Sequence, residues 1–254
     1  MGSDTNYLIP QELAKALNRS THTVVLTGSG TSAESGIPTF RDAQTGLWAQ
    51  YRPEDLATPE AFDRNPQLVW DWYAWRRELV AGADPNPGHD AIAELAVLVD
   101  RFTLITQNVD GLHQRAGSKD VIEFHGNIML SRCTSGHPAA DITDSDERPP
   151  RCGQCGALLR PGVVWFGESI PETAMQRALD ATRTCDTFFA VGTSAQVQPA
   201  AGLALLAKQN GATLIEINPA ETPLTSACDY SLTGPSGEIL PHLITVLKSL
   251  HDHA

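Results

Sequence analysis

Features typical of membrane, exported or nucleic-acid-binding proteins are scarce in this sequence. No apolar run reaches the roughly 18–20 residues that a membrane-spanning helix needs, and residues 1–20 lack the continuous apolar stretch of a secretory signal. Only 18 Lys and Arg residues stand against 30 Asp and Glu residues, which gives a formal net charge of −12. Phosphate backbones repel such a surface. We therefore expect a cytoplasmic protein that binds neither nucleic acid nor membranes.

Cysteine is also scarce, and its number is odd. The five cysteines are Cys133, Cys152, Cys155, Cys185 and Cys228. An odd count in a chain without an export signal argues against a disulfide framework. Cys152 and Cys155 form a C-x-x-C pair, whereas Cys185 and Cys228 stand apart from the others and are expected to be small buried side chains.

Four short runs rich in β-branched and other apolar residues predict strands, at residues 23–27, 102–106, 187–191 and 213–218. Helical patterns separate or follow them, at residues 86–100, 174–182, 199–210 and 236–250. Strands that alternate with helices predict an α/β fold, with a parallel sheet covered by helices on both faces. In such sheets ligands bind beyond the carboxyl ends of the strands, and all four runs end in polar or glycine-bearing turns.

Two segments, residues 39–85 and 129–172, break this alternation. The first is rich in Trp, Tyr, Pro and Arg, and the second holds three cysteines, several prolines and an acidic stretch. We interpret both as insertions that form a smaller domain, one helical and one bearing the cysteines. Residues 1–38, 86–128 and 173–254 then form the sheet domain.

A glycine loop follows the first predicted strand. Gly28 and Gly30 stand where a backbone could approach a pyrophosphate, and Ala33 occupies the place of the third glycine in the pattern G-x-G-x-x-G. Alanine is tolerated at that place in dinucleotide-binding folds. Taken alone, the loop fits either a nucleotide site or a tight turn between a strand and a helix.

More specific motifs follow in a fixed order. They read GIPTFRD at residues 36–42, QNVDGLH at 107–113, EFHGN at 123–127, PGVVWFGE at 161–168 and GTS at 192–194. In this order and spacing the sequence resembles the sirtuin family over nearly the whole chain. The resemblance implies a Rossmann-type NAD-binding domain, a smaller domain and a cleft between them. It also implies NAD-dependent removal of an acyl group from a protein lysine, with NAD consumed and with nicotinamide, the free lysine and O-acyl-ADP-ribose as products.

The resemblance gives His125 the part of catalytic base. It would act on a ribose hydroxyl after the acyl oxygen has attacked the anomeric carbon, and an unperturbed imidazole pKa of about 6.5 suits that task. A single histidine after an apolar run is otherwise more often structural. In the neighbouring motif, His113 is expected to orient structure rather than to take part in the chemistry.

The resemblance also implies which residues bind NAD. Asn108 and Asp110 would line the pocket for the nicotinamide end, and the Asp110 carboxylate would accept the carboxamide N–H groups, although Asn and Asp are also common in turns. Gln107 would reach the ribose, Phe40 would cover the reacting face of the sugar, and Arg41 would lie near the phosphates or the ribose. The other expected positions are Gly28, Ser29, Gly30, Ser32, Glu34, Val109, Gly192, Thr193, Ser194, Asn218 and Ser236.

Residues 164–168 would bind the substrate peptide. Their apolar, extended character is typical of a core strand, but in the sirtuin pattern the backbone edge of this segment pairs with the peptide by β-addition. That mode gives affinity without much side-chain selectivity. The peptide-binding residues predicted in this way are Val164, Phe166, Gly167 and Glu168.

A sirtuin zinc module would contain two cysteine pairs. The second pair is intact at Cys152 and Cys155, whereas the first offers only Cys133, because Gly136 stands where the fourth cysteine belongs. His137 is the expected substitute, since Cys₃His is a common tetrahedral zinc set and a flexible glycine could absorb the longer spacing. Loss of zinc, or a water as the fourth ligand, are the alternatives. The zinc would be structural.

Three residues are predicted to read the acyl group. Tyr73 and Arg76 form a Y-x-x-R pattern, which puts both on one face of a helix. With the small Ala57 they resemble the sirtuin subgroup that removes succinyl, malonyl and glutaryl groups. A guanidinium and a phenol hydroxyl can together bind a terminal carboxylate. A surface Arg beside a half-buried Tyr is the alternative, and we expect acetyl to be a slower or comparable substrate.

Two other functions stay open at this point. Mono-ADP-ribosyl transfer to protein starts from the same activated ribose and needs no acyl-lysine. A sensor that binds NAD or O-acyl-ADP-ribose without turnover is the other hypothesis, against which the presence of His125 argues. The expected partners are acyl-lysine proteins, and the sequence indicates no oligomeric state.

Overall fold

A six-stranded parallel sheet forms the centre of the computed structural model, which describes residues 8–39, 48, 50–137 and 147–251. The strands in chain order are β1 (Thr23–Thr27), β2 (Phe102–Thr106), β3 (Ile122–Glu123), β4 (Gly126–Cys133), β5 (Leu159–Val163), β6 (Thr187–Val191), β7 (Thr213–Asn218) and β8 (Tyr230–Thr233). The sheet order is β3-β2-β1-β6-β7-β8 with every pair parallel, and β4 and β5 form a separate antiparallel pair.

Helices lie between the strands. They are α1 (Gln11–Asn18), α2 (Ser29–Ala33), α3 (Pro53–Leu56), α4 (Pro59–Arg64), α5 (Pro66–Gly82), α6 (Pro87–Leu98), α7 (Leu112–Arg115), α8 (Glu172–Thr184), α9 (Ala200–Gln209) and α10 (Ser236–His251). The predicted α/β fold is confirmed, because the four predicted strands are β1, β2, β6 and β7, and the four predicted helical patterns correspond to α6, α8, α9 and α10.

The two faces of the sheet bury two separate apolar cores. Along β1, Val25 points into one core together with residues of α1, α6 and α10. Val24 and Leu26 point into the other, with residues of α8 and α9. Because successive strand residues face opposite sides, a strand covered on both faces is buried throughout, as all five residues of β1 are.

A third apolar cluster lies outside the sheet, between α3–α5 and the β4–β5 pair, and its largest fully buried side chain is Trp72. Thr58 caps α4 by accepting a hydrogen bond from the Ala61 backbone N–H, and Asn65 caps α5 through the Leu68 N–H. These caps fix where the two helices begin. The division into a sheet domain and a smaller domain stays a prediction, and β4 begins at Gly126, before the boundary predicted at residue 129.

In the part of the chain that the structure describes, no helix combines the length and the apolar character needed to cross a membrane.

Candidate active site

The predicted NAD-binding residues meet at one edge of the sheet. Gly28 to Ser32 form the turn after β1 and most of α2, Gln107 to Asp110 follow β2, Gly192 to Ser194 follow β6, Asn218 ends β7, and Ser236 begins α10. Carboxyl ends of parallel strands share an edge, which is where ligands bind in open α/β sheets. Phe40 and Arg41 lie outside the described residues.

The glycines of this edge are required by the close approach of two loops. The Gly30 N–H donates to the Gly192 carbonyl oxygen at 2.8 Å, and Gly192 has a φ of +58°. A Cβ on Gly192 would lie 2.4 Å from the Thr31 nitrogen, and one on Gly28 or Gly30 would lie 2.8 Å from the Gly192 carbonyl oxygen. The glycine pattern therefore allows the two loops to contact each other, and this requirement is independent of any part in phosphate binding.

A buried polar cluster follows β2. The Asn108 side-chain amide donates to the Gly28 carbonyl and to the Ser32 hydroxyl, both at 3.0 Å. The Ser32 hydroxyl donates to one oxygen of the buried Asp110 carboxylate at 2.8 Å, and the Leu112 N–H donates to the other at 2.9 Å. These bonds fix the orientation of the carboxylate and the amide predicted to receive the nicotinamide end.

The same cluster contains His89, which sequence reasoning missed. His89 is fully buried, its Nε2 lies 3.4 Å from the Ser32 hydroxyl, and its Nδ1 accepts the Asn86 N–H. The Asn86 side chain also donates to the Thr31 carbonyl at 2.8 Å, so the start of α6 is fastened to α2. The sequence did carry a signal, since Asn86 and His89 flank Pro87 in a capping pattern.

His125 lies directly between β3 and β4, with its ring half-buried. Its Nδ1 is 3.1 Å from the Gln107 carbonyl oxygen. A carbonyl only accepts, so Nδ1 carries the hydrogen and Nε2 keeps its lone pair. Burial lowers the pKa of His125, and the bond to Gln107 opposes that shift. The histidine is therefore a neutral imidazole whose free nitrogen can take a proton.

His113 is held as a structural residue. The Thr27 hydroxyl donates to Thr106 Oγ1 at 2.8 Å, so His113 Nε2, at 2.9 Å, donates to Thr27. Its Nδ1 is buried and has no hydrogen-bond partner among the described residues. Burial lowers the pKa of His113 to about 3, with the nearby His89 as a second cause, which keeps the ring neutral.

Residues on the side predicted for adenosine and ribose are tied to each other. Gln107 Nε2 donates to Thr193 Oγ1 at 3.0 Å, and Asn218 Nδ2 donates to the Thr193 carbonyl at 3.1 Å. The Ser236 hydroxyl and the Gly237 N–H both donate to Glu34, at 3.1 and 2.9 Å. Glu34 thereby places a carboxylate at the N-terminus of α10, where the helix dipole favours negative charge.

Tyr73 and Arg76 lie close together on α5, and Ala57 belongs to the same apolar cluster as Tyr73. We call these three residues, which are predicted to read the acyl group, the acyl site. Ala57 and Tyr73 are buried, and the Arg76 guanidinium stacks over the Trp72 ring at 5.0 Å from its centroid and lies 6.0 Å from that of Tyr73. Burial raises the pKa of Tyr73 to about 12, so its hydroxyl stays a neutral donor. Burial lowers the pKa of Arg76, and the Asp110 carboxylate opposes this shift.

The predicted peptide-binding segment is not a strand, because β5 ends at Val163 and the chain then turns. The Val164 N–H donates to the His125 carbonyl at 2.8 Å, and the Phe166 N–H donates to the Ala57 carbonyl at 3.0 Å. These two N–H groups fasten the segment to the backbone at His125 and at Ala57. β-Addition by a peptide would have to use other backbone groups of the segment.

Glu168 has its carboxylate engaged within the chain. Its Oε2 accepts hydrogen bonds from Arg160 at 2.8 Å, from Arg132 at 3.0 Å and from the Trp165 backbone N–H at 2.8 Å. The Arg160 guanidinium also stacks on the Trp165 ring, 3.3 Å from its centroid. This ion-pair cluster was not anticipated from the sequence, which gave Glu168 a direct part in peptide binding.

The four predicted metal ligands form one cluster. Their ligand atoms all lie within 4.8 Å of one another, with Cys133 Sγ 3.5 Å from Cys155 Sγ and 3.6 Å from His137 Nδ1. Cys152 Sγ lies 3.8 Å from the same nitrogen. Zn–S bonds of about 2.3 Å and Zn–N bonds of about 2.0–2.1 Å at tetrahedral angles require edges of roughly 3.5–3.8 Å. The donor set therefore fits a tetrahedral zinc ion.

Gly136 allows this geometry. It has a φ of +85°, in the left-handed region that favours glycine, and its N–H closes a turn onto the Cys133 carbonyl at 3.0 Å. The turn brings His137 back toward the cysteines. Gly136 thus stands in the place of the fourth cysteine and also positions His137, the ligand predicted to replace it.

Comparison with known proteins agrees with this arrangement. The model of the Sir2 family matches residues 28–199. This chain belongs to the Sir2 family. The resemblance to sirtuins inferred from the motifs is thereby confirmed.

The Sir2 relatives match over most of their length. The NAD-dependent protein deacylase of Aquifex aeolicus is 57% identical over 232 residues, which cover 91% of this chain and 94% of the relative. The NAD-dependent protein deacylase 1 of Archaeoglobus fulgidus is 52% identical over 236 residues, with 92% and 96% covered.

Solved Sir2 structures share the fold. One, a Sir2 homologue in complex with NAD, has a TM-score of 0.90 at 50% identity and covers 96% of each chain. Another, Sir2 bound to acetylated peptide, has a TM-score of 0.85 at 30% identity and covers 94% of this chain and 98% of the other.

Proposed function

We propose that this protein is an NAD-dependent protein-lysine deacylase with His125 as its catalytic base. The observation that carries the proposal is the His125 ring, fixed by the Gln107 carbonyl with Nε2 unprotonated, beside the buried Asn108–Ser32–Asp110 cluster. Relatives named as deacylases and the NAD-bound homologue support it.

Bound NAD supplies a ribose carbon whose bond to nicotinamide can break in favour of a bond to the acyl oxygen. The chain's residues bind, orient and move a proton around that carbon. The Asp110 carboxylate, held by Ser32 and Leu112, accepts the carboxamide N–H groups, and Asn108 lines the same pocket. His125 Nε2 removes the proton from a ribose hydroxyl, and the resulting imidazolium keeps its bond from Nδ1 to the Gln107 carbonyl.

We further propose that the acyl site prefers succinyl and malonyl groups, with acetyl removed more slowly or comparably. A terminal carboxylate that enters an apolar, aromatic-walled site must find a partner, since burial of an unpaired charge costs several kcal/mol. Arg76 offers a positive fork against the Trp72 and Tyr73 rings, Tyr73 offers a neutral hydroxyl, and Ala57 leaves room. The relatives' names specify deacylation without an acyl group, so the preference rests on these residues alone.

A structural Zn²⁺ held by Cys133, Cys152, Cys155 and His137 belongs to the same proposal. The ion would tie the end of β4 to the Cys152–Cys155 turn, and thus support the β4–β5 pair next to the acyl site. It takes no part in the acyl-transfer chemistry.

The test is product analysis. The protein is incubated with NAD and a succinyl-lysine peptide, and mass spectrometry follows the peptide, nicotinamide and O-succinyl-ADP-ribose, which we expect to form in equal amounts. His125→Ala should lower turnover by about 10²–10⁴-fold while NAD binding, measured by calorimetry, survives. ADP-ribosylated protein without acylated substrate would favour a transferase, and NAD binding without any turnover would favour a sensor.

A further inference from the structure

Trp165 belongs to the segment 164–168 and contacts the acyl site through Tyr73. The indole is buried, and its Nε1–H donates to the Tyr73 hydroxyl oxygen at 3.0 Å. The two residues are 92 positions apart, and Phe62 packs against the indole at a ring-centroid distance of 5.4 Å. Trp165 is the one residue of the segment 164–168 whose side chain contacts Tyr73 through a hydrogen bond.

This bond determines what the Tyr73 hydroxyl can do. An indole N–H only donates, so it occupies a lone pair of the phenol oxygen and the hydroxyl hydrogen must point away from Trp165. Among the described residues, Trp165 is the only hydrogen-bond partner of this hydroxyl. The hydrogen thus has no acceptor among the described residues and can be donated to a substrate carboxylate, while the Arg76 guanidinium lies 6.0 Å from the Tyr73 ring centroid.

Arg160 and Glu168 hold Trp165 in place, and Arg160 also polarises its indole ring. The Arg160 guanidinium lies 3.3 Å from the ring centroid, and Glu168 binds both that guanidinium and the Trp165 backbone N–H. A cation against the indole face makes the N–H a stronger donor. A stronger donor on the phenol oxygen strengthens in turn the bond that the phenol gives, because hydrogen bonds in series polarise one another.

We propose that Trp165 is a specificity-determining positioning residue, whose indole N–H directs the Tyr73 hydroxyl hydrogen toward the carboxylate of an acidic acyl group. This inference rests on the proposed acyl preference. Trp165 does not touch the acyl group. It acts through Tyr73, so its effect must be confined to acyl groups that Tyr73 recognises and must vanish when the Tyr73 hydroxyl is absent.

The experiment is a double-mutant cycle on kcat/KM with succinyl- and acetyl-lysine peptides of one sequence. Trp165→Phe removes the N–H, and we expect about a 3- to 10-fold loss for the succinyl peptide, the usual worth of one hydrogen bond. The acetyl peptide should change by less than about twofold. In the Tyr73→Phe background, Trp165→Phe should bring no further selective loss.

Trp70→Phe is the matched control. Trp70 is also a buried indole of α5, but Arg77 rather than Arg76 lies over its ring, at 4.8 Å from the centroid. Its loss should leave the succinyl-to-acetyl ratio unchanged. If Trp165→Phe fails to fold, 3-benzothienylalanine at position 165 keeps the ring size and the stacking with Arg160 and replaces only the N–H by sulfur.

The outcomes separate the two proposals. If Tyr73→Phe affects both peptides equally, the acyl preference falls and this inference falls with it. The other case is that Tyr73→Phe lowers kcat/KM selectively for the succinyl peptide. If Trp165→Phe then lowers kcat/KM equally for both peptides, or if its selective loss is undiminished in the Tyr73→Phe background, the acyl preference stands and the proposed part of Trp165 is refuted.

Discussion

At the scale of single residues, the protonation states of His125 and His113 follow from their partners. His125 gives its Nδ1 hydrogen to a carbonyl and keeps Nε2 basic, whereas His113 gives its Nε2 hydrogen to Thr27 and leaves Nδ1 without a partner among the described residues. Both rings are neutral, and only for His125 do we propose that the free nitrogen meets a substrate hydroxyl. The proposed function thus assigns one histidine to chemistry and the other to packing.

The first prediction concerns the pH dependence of catalysis. Burial lowers the pKa of His125, so its imidazole stays neutral and basic as the pH falls past 6.5. We expect the acid limb of the kcat/KM profile, measured with a succinyl-lysine peptide at saturating NAD, to have its midpoint below pH 6.5. A midpoint above that value would show that a group other than His125 controls the limb.

The second prediction concerns stability. The folded pKa of His113 is about 3, well below that of an unfolded histidine at about 6.5. The unfolded state therefore binds more protons below about pH 6.5, and this contribution to stability is full above that pH and declines as the pH falls toward 3. Urea unfolding at pH 7 and pH 5 should show a larger loss for the native sequence than for His113→Gln. Equal losses would contradict the prediction.

At the scale of elements, turns after strands bring distant residues together. The turn after β1 and the turn after β6 contact each other so closely that a Cβ on Gly192 has no room, which places Ser32 and Thr193 on one edge. The Cys133–His137 turn does the same for the metal cluster, again through a glycine with positive φ.

Gly192→Ala tests the loop contact. It adds a Cβ 2.4 Å from the Thr31 nitrogen at a φ of +58°, and we expect a loss of about 1–3 kcal/mol in the free energy of unfolding, measured with urea. Gly82→Ala is the control, since Gly82 ends α5 and the position that a Cβ would take there faces open space, with no described atom beyond its own helix within 4 Å. A Gly192→Ala protein as stable as the control would refute the steric requirement.

Zinc content and its effect on stability test the predicted metal site. Protein purified without chelator should contain zinc by elemental analysis, and chelation should lower the midpoint of thermal unfolding, because binding to the folded chain stabilises it. His137→Ala should weaken zinc binding in a competition titration. Cys228→Ser, which removes a thiol outside the cluster, should leave it unchanged. Absence of zinc would show that Gly136 marks a lost site.

At the scale of the whole molecule, the sheet could be predicted and the contacts between the two inserted segments could not. β1, β2, β6 and β7 are buried apolar runs, which the sequence displays directly, whereas β3 has only two residues, too few for a pattern. Motifs located His125 and Asp110. The Trp165–Tyr73 bond, by contrast, joins residues 92 positions apart and depends on how α5 packs against the chain after β5.

The surface of the molecule carries a net charge of −12, which would attract basic segments around an acyl-lysine. A cytoplasmic location and the absence of nucleic-acid and membrane partners stay predictions from the sequence. The proposed acyl preference depends instead on a local positive charge, the Arg76 guanidinium that lies against the Trp72 and Tyr73 rings.

The most direct test of the proposed function is kcat/KM for acetyl- and succinyl-lysine peptides of one sequence, with the native protein and with Arg76→Met. Loss of one partner of a buried charge pair costs about 2–5 kcal/mol, so we predict that desuccinylation falls by about 10²-fold or more. Deacetylation should change far less, or improve, because an acetyl group has no carboxylate to pair with Arg76. Equal losses for both peptides would contradict a function in which Arg76 reads the acyl group.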